Sequence, residues 1–301
     1  MDVQASSAPL QKVLLGLRRI GFAMSFGGRL KLPRSLMRRA FRYVRAVVTV
    51  TDFDGNMTMT LCLWEHMQRR IFWMGYYNSD IVAILDGLLT PGMMFVDVGA
   101  NIGEITLAAA KRVGVTGKVF AFEPMDPIAD RLDEHVRVNE LKHVMVTRKA
   151  LGDTIDDNVP IYISAEQHSG DENAGLGSLY GGTHGEAPAQ CISITTLDVW
   201  LDDHPVERLD LIKIDIEGAE LPCLRGAERS LRRFRPKLII EIQNITITSG
   251  LVGYQPTDIL DFLSGLDYEF YHIEEAGRLS PLTVSNLHDY QNVLCLPRST
   301  G

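Results

Sequence analysis

A glycine-containing motif, DVGANIG at residues 97–103, follows a short apolar run and leads directly into a helical pattern. Gly99 allows a tight strand-to-helix turn, and Gly103 allows the helix to lie close to a sheet. Open α/β sheets bind their ligands at the carboxyl ends of the strands, where the strand order reverses. Glu123 ends the next apolar run, twenty residues beyond Gly103, where a carboxylate can accept both hydroxyls of a ribose. These residues predict a site for a ligand that contains a nucleoside.

The spacing of the glycines distinguishes between two such ligands. A dinucleotide fingerprint needs GxGxxG so that the backbone can approach a pyrophosphate. Here Asn101 replaces the middle glycine, and the third glycine falls at the wrong spacing. Asp97 would repel a pyrophosphate, whereas it suits the cationic methionine end of S-adenosylmethionine, directly or through water. We therefore expect S-adenosylmethionine, with an NAD(P)-dependent oxidoreductase and a non-catalytic cofactor-binding scaffold as the alternatives.

A second group of chemically active residues lies at the end of the apolar run 209–215. Strand alternation places Lys213, Asp215 and Glu217 on one side, and charges in a buried sheet are costly unless they are paired or at its open edge. Asp215 and Glu217 are therefore expected to face the cleft, and Glu241, at the end of the next strand, to approach the same edge. One of these carboxylates could accept a hydroxyl proton, or all three could hold Mg²⁺. In the structural alternative, Lys213 pairs with one acid and Glu217 caps the following helix.

A polar, glycine-rich loop at 165–189 separates two strand-like segments, 159–164 and 190–195. Loops of this length are usually functional or disordered, and this one follows the third strand, near the ligand edge of the sheet. We expect a substrate lid in which His168 is a candidate general base, with a simple flexible insertion as the alternative.

The positioning elements follow from a regular alternation. Apolar strands are predicted at 93–98, 118–123, 143–148, 209–215 and 237–242. Helical patterns lie between and after them, at 102–113, 126–140, 196–202, 219–233 and 256–264. Strands that are apolar on both faces and alternate with amphipathic helices predict a parallel sheet covered on both sides. Two final strands with no helix between them, 268–273 and 290–296, predict an antiparallel pair at one edge. The fold class is therefore a doubly wound, mostly parallel, seven-stranded α/β sheet.

Residues 1–78 are predicted to form an N-terminal extension, and residues 79–301 the ligand-binding domain. The extension is helical over 10–45, with interruptions at Gly27-Gly28 and Pro33, and continues as a hairpin that turns at 54–56. Its first 45 residues hold ten Lys or Arg and one acid, although the whole chain has a net charge of −8. Such a segment could lie on an anionic membrane, or it could dock onto the acidic domain or a second subunit.

Composition narrows the remaining possibilities. No run of about 18 apolar residues occurs, so a membrane span is not expected. The four cysteines are far apart and form no CxxC pair, which indicates buried thiols and neither a zinc site nor a disulfide framework. The acidic domain has no aromatic–basic motif for nucleic acid. We expect a cytoplasmic protein, with the inner face of a membrane as an alternative location, and a small-molecule or glycan substrate; a homo-oligomer stays an alternative.

Four segments carry a resemblance to a known family. They are FVDVGANIGEITLAAA, VFAFEP, LIKIDIEGAELPCLRGA and PKLIIEI, spread over roughly residues 90–245. In this order they resemble the FkbM family of S-adenosylmethionine-dependent methyltransferases. The resemblance implies a class I methyltransferase fold and O-methylation of a sugar, glycolipid or secondary metabolite.

The resemblance also implies roles for individual residues. The methionine end of the cofactor would be held by Asp97, Gly99, Asn101 and Gly103. Glu123 would hold the ribose with Pro124 shaping the turn after it, and Ala150 and Leu151 would flank the adenine. Many members carry a Glu shortly before the first strand, and this chain departs from that pattern at residues 75–80, so a cofactor contact from there is left open.

Overall fold

The computed structural model describes residues 6–25, 32–163, 177–178, 188–243, 253–288 and 290–298. The N-terminal elements are helix α1 (Ala8–Met24), helix α2 (Leu32–Ala40), strands β1 (Val47–Phe53) and β2 (Met57–Cys62), and helix α3 (His66–Met74). The predicted helical region and hairpin are confirmed, and Asp54 and Gly55 form the turn with positive φ angles of 44° and 96°. Pro33 lies in the first turn of α2, where the missing N–H costs nothing, so it does not interrupt a helix.

Helix α3 was not predicted from the sequence. Its buried apolar residues, Ile71, Phe72 and Trp73, are consecutive, and each is at most 1% exposed. A helix with one buried face repeats apolar residues every three or four positions. Because α3 is buried on several sides, by α2, β2 and α1, it has no such period.

The next elements alternate between helix and strand, as predicted for residues 93–148. They are α4 (Ser79–Leu88), β3 (Met94–Val98), α5 (Glu104–Val113), β4 (Lys118–Phe122), α6 (Asp126–Val138) and β5 (Val144–Thr147). After them come the short strands β6 (Ala150–Leu151), β7 (Asp156–Ile163), β8 (Gly177–Ser178) and β9 (Gln190–Thr195). The chain continues with α7 (Leu197–Asp203), β10 (Leu211–Ile214), α8 (Glu220–Arg225), α9 (Glu228–Phe234), β11 (Lys237–Gln243), α10 (Pro256–Ser264), β12 (Tyr268–Ile273), β13 (Leu279–Pro281) and β14 (Tyr290–Pro297).

The main sheet has the order β13-β12-β14-β11-β10-β3-β4-β5. Strands β11, β10, β3, β4 and β5 are parallel, and β14 lies antiparallel between β11 and β12. From β3 the chain moves outward through β4 to β5 and then returns to β10, so the strand order reverses between β3 and β10. The mostly parallel sheet and its antiparallel pair are confirmed. The eighth strand, β13, was not predicted; it has three residues, ends in a proline and pairs only with β12 among the described residues.

Two further predictions are corrected by the packing. The single helix predicted at 219–233 is divided into α8 and α9 around Gly226, where a Cβ atom would lie 1.9 Å from the carbonyl oxygen of Gly152. Cys191 is exposed rather than buried, whereas Cys62, Cys223 and Cys295 are buried and unpaired as predicted. Cys191 is the second residue of β9, and the buried residues of that strand come after it.

A smaller sheet follows β5, with the order β6-β9-β7-β8. Strands β7 and β9 form the predicted antiparallel pair. Of the predicted lid at 165–189, the structure describes only residues 177–178 and 188–189, so the lid lies largely outside the described residues. The division of the chain at residue 78 stays a prediction.

The two faces of the main sheet belong to separate apolar clusters. Val96 and Ile212 point toward α7, α8 and α9, whereas Phe95 and Leu211 point toward α4 and α5. Strand alternation places Asp97 and Lys213 on the α5 face, and these two residues are register partners across β3 and β10. The α5 face therefore contains two opposite charges within an apolar layer.

A buried histidine connects the N-terminal hairpin to the glycine motif. The Thr60 backbone N–H donates to Nε2 of His135, at 3.0 Å, and Nδ1 of His135 lies 2.8 Å from the carbonyl oxygen of Ile102. Because Nε2 accepts, the ring is neutral and carries its proton on Nδ1. Burial lowers the pKa of His135 to about 4.

Replacing His135 by Gln should remove part of the acid sensitivity of the fold. The unfolded chain binds a proton at this histidine below about pH 6.5, whereas the folded chain does so only near pH 4, so stability is lost as the pH falls through that window. Gln can make both hydrogen bonds without titrating. From pH 7 to pH 5, urea unfolding should show wild type losing about 2 kcal/mol more than His135→Gln. Equal losses would contradict the assignment of a neutral, bridging histidine.

Candidate active site

A cavity opens at the carboxyl ends of β3, β4, β10 and β11, at the point where the strand order reverses. Its lining includes most of the residues that the sequence singles out: Gly99, Asn101, Glu123, Pro124, Ala150, Leu151, Asp215, Glu217 and Glu241. It also includes residues that were not predicted as site residues: Glu65, Tyr77, Asn78, Glu104, Lys149, Lys213 and Tyr290. This position agrees with the rule for ligand binding in open α/β sheets.

The glycine motif brings the backbone of β3 against that of β10. Gly99 has a φ of 77°, and a Cβ atom there would lie 2.0 Å from the carbonyl oxygen of Asp215. Asn101 is also left-handed, with a φ of 49°, and its Oδ1 accepts from the Ile102 N–H at 2.7 Å. Because of this conformation, the backbone at residues 99–101 follows the wall of the cavity.

Gly103 and Asp97 do not line the cavity, contrary to the expectation that they contact the cofactor. A Cβ atom at Gly103 would lie 2.5 Å from Cδ1 of Leu132, so this glycine allows α5 to approach α6. Asp97 is completely buried, and its Oδ2 accepts from the Thr106 hydroxyl at 2.6 Å. Strand alternation directs its side chain below the edge of the sheet, toward α5, which spacing along the sequence does not reveal.

Lys213 contacts both the glycine motif and the end of β10. Its Nζ lies 3.1 Å from Oδ2 of Asp215, 3.2 Å from the carbonyl oxygen of Gly99 and 3.8 Å from Oδ1 of Asp97. Burial lowers its pKa, but the carboxylates of Asp215 and Asp97 outweigh burial and raise the pKa above that of an ordinary lysine. The ammonium group therefore stays charged, and the pairing of Lys213 with an acid, given above as the structural alternative, is present.

Glu123 lies across the cavity from this lysine, at the end of β4. Its two carboxylate oxygens accept from the backbone N–H groups of Asn101, at 2.9 Å, and Met125, at 3.0 Å. Burial raises its pKa to about 7, against the effect of these two hydrogen bonds. Each oxygen keeps a further acceptor position, so the group suits the two hydroxyls of a ribose. Pro124, Ala150 and Leu151 line the same end of the cavity.

Three carboxylates converge at the other end. Asp215, Glu217 and Glu241 each place one oxygen within 4.8 Å of the others. Glu217 has a left-handed φ of 52°, and the N–H groups beside it, those of Ile216 and Gly218, donate to Glu220 instead. Helix α8 begins at Glu220, so these two N–H groups precede it, and the alternative that Glu217 caps α8 stays a prediction.

Several cavity residues were not predicted as site residues. Glu104 accepts from the backbone N–H groups of Tyr77 and Asn78, and burial raises its pKa to about 7. The Tyr290 hydroxyl donates to Oε1 of Glu241. The sequence contained a signal for Glu104, because this residue directly follows the glycine motif. It contained none for Tyr290, which reaches the cavity through the pairing of β14 with β11. His168 lies outside the described residues.

The fold and the site together define a class. The parallel sheet, the glycine turn after β3, the acid that ends β4 and the absence of a pyrophosphate fingerprint are features of class I methyltransferases, which use S-adenosylmethionine. The sequence matches the model of the methyltransferase FkbM domain over residues 97–270, more than half of the chain. The chain belongs to the FkbM methyltransferase family, as its four sequence segments predicted.

Individual relatives are more distant. The chain is 28% identical over 190 residues to the hexuronic acid methyltransferase AglP of Haloferax volcanii, covering 62% of this chain and 68% of that protein. It is 25% identical over 208 residues to the AMB antimetabolite synthetase AmbE of Pseudomonas aeruginosa, covering 60% of this chain but only 10% of that protein. A methyltransferase FkbM structure from Methylobacillus flagellatus is 17% identical, with a TM-score of 0.45, and covers 93% of this chain and 62% of that one.

Replacing Glu123 by Gln should weaken cofactor binding. A lost hydrogen bond to a charged group predicts a decrease in affinity for S-adenosylhomocysteine of about tenfold or more at pH 8, measured by calorimetry. Wild-type affinity should also fall as the pH is lowered from 8 to 6, because protonation near pH 7 removes the carboxylate. The affinity of Glu123→Gln should not show this fall between pH 8 and pH 6.

The matched control is the exposed Glu207, whose replacement by Gln should leave the affinity unchanged. If Glu123→Gln binds S-adenosylhomocysteine as tightly as wild type does, Glu123 does not hold the ribose.

Proposed function

We propose that the chain transfers a methyl group from S-adenosylmethionine to a hydroxyl oxygen of a sugar, glycolipid or secondary metabolite. The observation that carries this proposal is the convergence of Asp215, Glu217 and Glu241 at the open end of the cavity, opposite Glu123. A site that only bound the cofactor would need no such cluster, which is costly because like charges repel.

The cofactor residues are divided along the cavity. Glu123 receives the ribose, with Pro124 in the turn beside it, and Ala150 and Leu151 adjoin the adenine. The backbone at Gly99 and Asn101 receives the methionine end. S-adenosylmethionine supplies a methyl group already activated by its sulfonium charge, so the protein has to align the acceptor oxygen and remove its proton. Negative charge at the carboxylate end of the cavity complements this cation.

Asp215 is the proposed proton acceptor. Its carboxylate is fixed by Lys213 at 3.1 Å and is partly exposed to the cavity, so one oxygen can point toward an acceptor hydroxyl. Glu217 and Glu241 lie within reach of the same proton, and the Tyr290 hydroxyl orients Glu241. His168, in the predicted lid, is the other proposed base.

The charge of the cluster favours a neutral acceptor. The three carboxylates concentrate negative charge at this end of the cavity, so an anionic acceptor oxygen would be repelled there, whereas a hydroxyl would donate a hydrogen bond. The name of AglP, a hexuronic acid methyltransferase, supports a sugar acceptor. A hexuronic acid offers both hydroxyl and carboxyl oxygens, and the charges here favour a methyl ether as the product.

The same cluster supports a second candidate mechanism. Carboxylate oxygens are the ligands that Mg²⁺ prefers, and Asp215, Glu217 and Glu241 would be its protein ligands. Mg²⁺ bound there would lower the pKa of an acceptor hydroxyl. The ammonium of Lys213 already contacts Asp215 and would compete for its charge.

Replacing Asp215 by Asn should separate binding from turnover. We expect the rate of methyl transfer to hydroxyl-bearing sugars to fall about 100-fold or more. The rate is measured as the release of S-adenosylhomocysteine. The affinity for S-adenosylhomocysteine should stay within about threefold, because Asn can still accept from Lys213. EDTA should abolish transfer in wild type only if the cluster acts through Mg²⁺.

The exposed Asp202, replaced by Asn, is the matched control and should leave turnover unchanged. Full activity of Asp215→Asn, with or without EDTA, would contradict both mechanisms. A methyl ester as the product from a hexuronic acid would contradict the hydroxyl acceptor.

A further inference from the structure

Helix α1 exposes a line of apolar side chains. Leu10, Val13, Ile20 and Met24 are 38%, 59%, 51% and 53% exposed, and the half-buried Leu17 lies between them. Steps of three and four residues place all five on one side of the helix, and we call them the apolar stripe. Isolated exposed apolar residues are common, whereas a continuous stripe is typical of an interaction surface.

A neighbouring side of α1 is anchored to the rest of the chain. Leu14, Arg18 and Gly21 are buried. The Arg18 guanidinium donates to the Phe72 carbonyl oxygen at 2.7 Å and to Oδ2 of Asp52 at 2.5 Å. These contacts fix the rotation of the helix, so Leu10, Val13, Ile20 and Met24 face outward, while the half-buried Leu17 packs against the edge of the core.

Helix α2, which packs against α1, and the segment after it also expose apolar side chains. Leu32 and Leu36, one helical turn apart, are 67% and 56% exposed, and Tyr43 is 76% exposed. Tyrosine, with an apolar ring and a polar tip, suits the boundary between lipid and water.

The charges around these side chains have one sign. Residues 6–25 and 32–46 contain eight Lys or Arg and no Asp or Glu. Lys12, Arg19 and Arg39 are exposed, and we call these three residues the basic rim. On α1, Lys12 and Arg19 lie beside the apolar stripe, where long side chains can extend toward anionic head groups. The chain as a whole has a net charge of −8, so this concentration of positive charge is local.

We propose that the apolar stripe and the basic rim form a docking surface for an anionic lipid membrane. Pairing with a second copy of the chain would bring two basic rims together, and like charges oppose that contact. No described helix is long and apolar enough to cross a bilayer, so α1 would lie in the plane of the interface, with its stripe among the lipid chains. The proposal is independent of the acceptor and of the catalytic residues.

Vesicle sedimentation tests this surface. We expect the protein to sediment with phosphatidylcholine vesicles that contain phosphatidylglycerol but not with phosphatidylcholine alone, and added salt should reduce binding. Ile20→Glu with Met24→Glu, and Lys12→Glu with Arg19→Glu, should each weaken binding about tenfold or more. Affinity for S-adenosylhomocysteine and the melting temperature should stay close to wild type, which shows that the variants fold.

The matched controls place the same changes elsewhere on the exposed surface. Val115→Glu and Lys142→Glu should leave vesicle binding unchanged. The proposal is overturned if wild type does not bind the anionic vesicles at low salt, or if the stripe variants bind them as wild type does. It is also overturned if sedimentation velocity shows that wild type is a dimer and that Ile20→Glu with Met24→Glu dissociates it, because the stripe would then be an interface between two copies.

Discussion

The arrangement of the site depends on the contacts of one buried ammonium group, that of Lys213. It is buried between β3 and β10, and a buried charge is tolerated only when it is paired and hydrogen-bonded. Asp97, Asp215 and the Gly99 carbonyl oxygen supply those partners, so the lysine joins the glycine turn to the carboxylate cluster. Asp97, expected to contact the ligand, contacts Lys213 instead. The glycine turn and the proposed base, Asp215, are therefore held by the same ammonium group.

The elements before β3 complete the cavity rather than merely precede it. Tyr77 and Asn78 line it, and their backbone N–H groups are held by Glu104 at the start of α5. His135 links β2 to the carbonyl oxygen of Ile102, within the glycine motif. The hairpin and the segment after α3 thus help to fix the glycine motif, and α1 and α2 lie on the far side of the hairpin and α3 from it. The proposed catalytic cleft and the proposed membrane surface thus belong to the same chain.

The sequence was sufficient for features that depend on local pattern. Alternating apolar runs predicted the sheet, and the spacing from Gly99 to Glu123 predicted two residues of the cavity wall. Features that depend on how distant segments align were not accessible. The pairing of Lys213 with Asp97 is set by the register of β10 on β3, and Tyr290 meets Glu241 only because β14 inserts between β11 and β12. Alternation placed Lys213 and Asp215 together, but it could not show that the lysine would lie in the cavity wall.

A crystal structure of the chain with S-adenosylhomocysteine would test the proposed placement of the cofactor. We expect ribose hydroxyls within hydrogen-bonding distance of Glu123, the amino acid end along Gly99 and Asn101, and the sulfur facing Asp215. This placement would be contradicted if the ligand occupied another part of the molecule, or if its sulfur pointed away from the three carboxylates, because no acceptor could then reach both the methyl group and the proposed base.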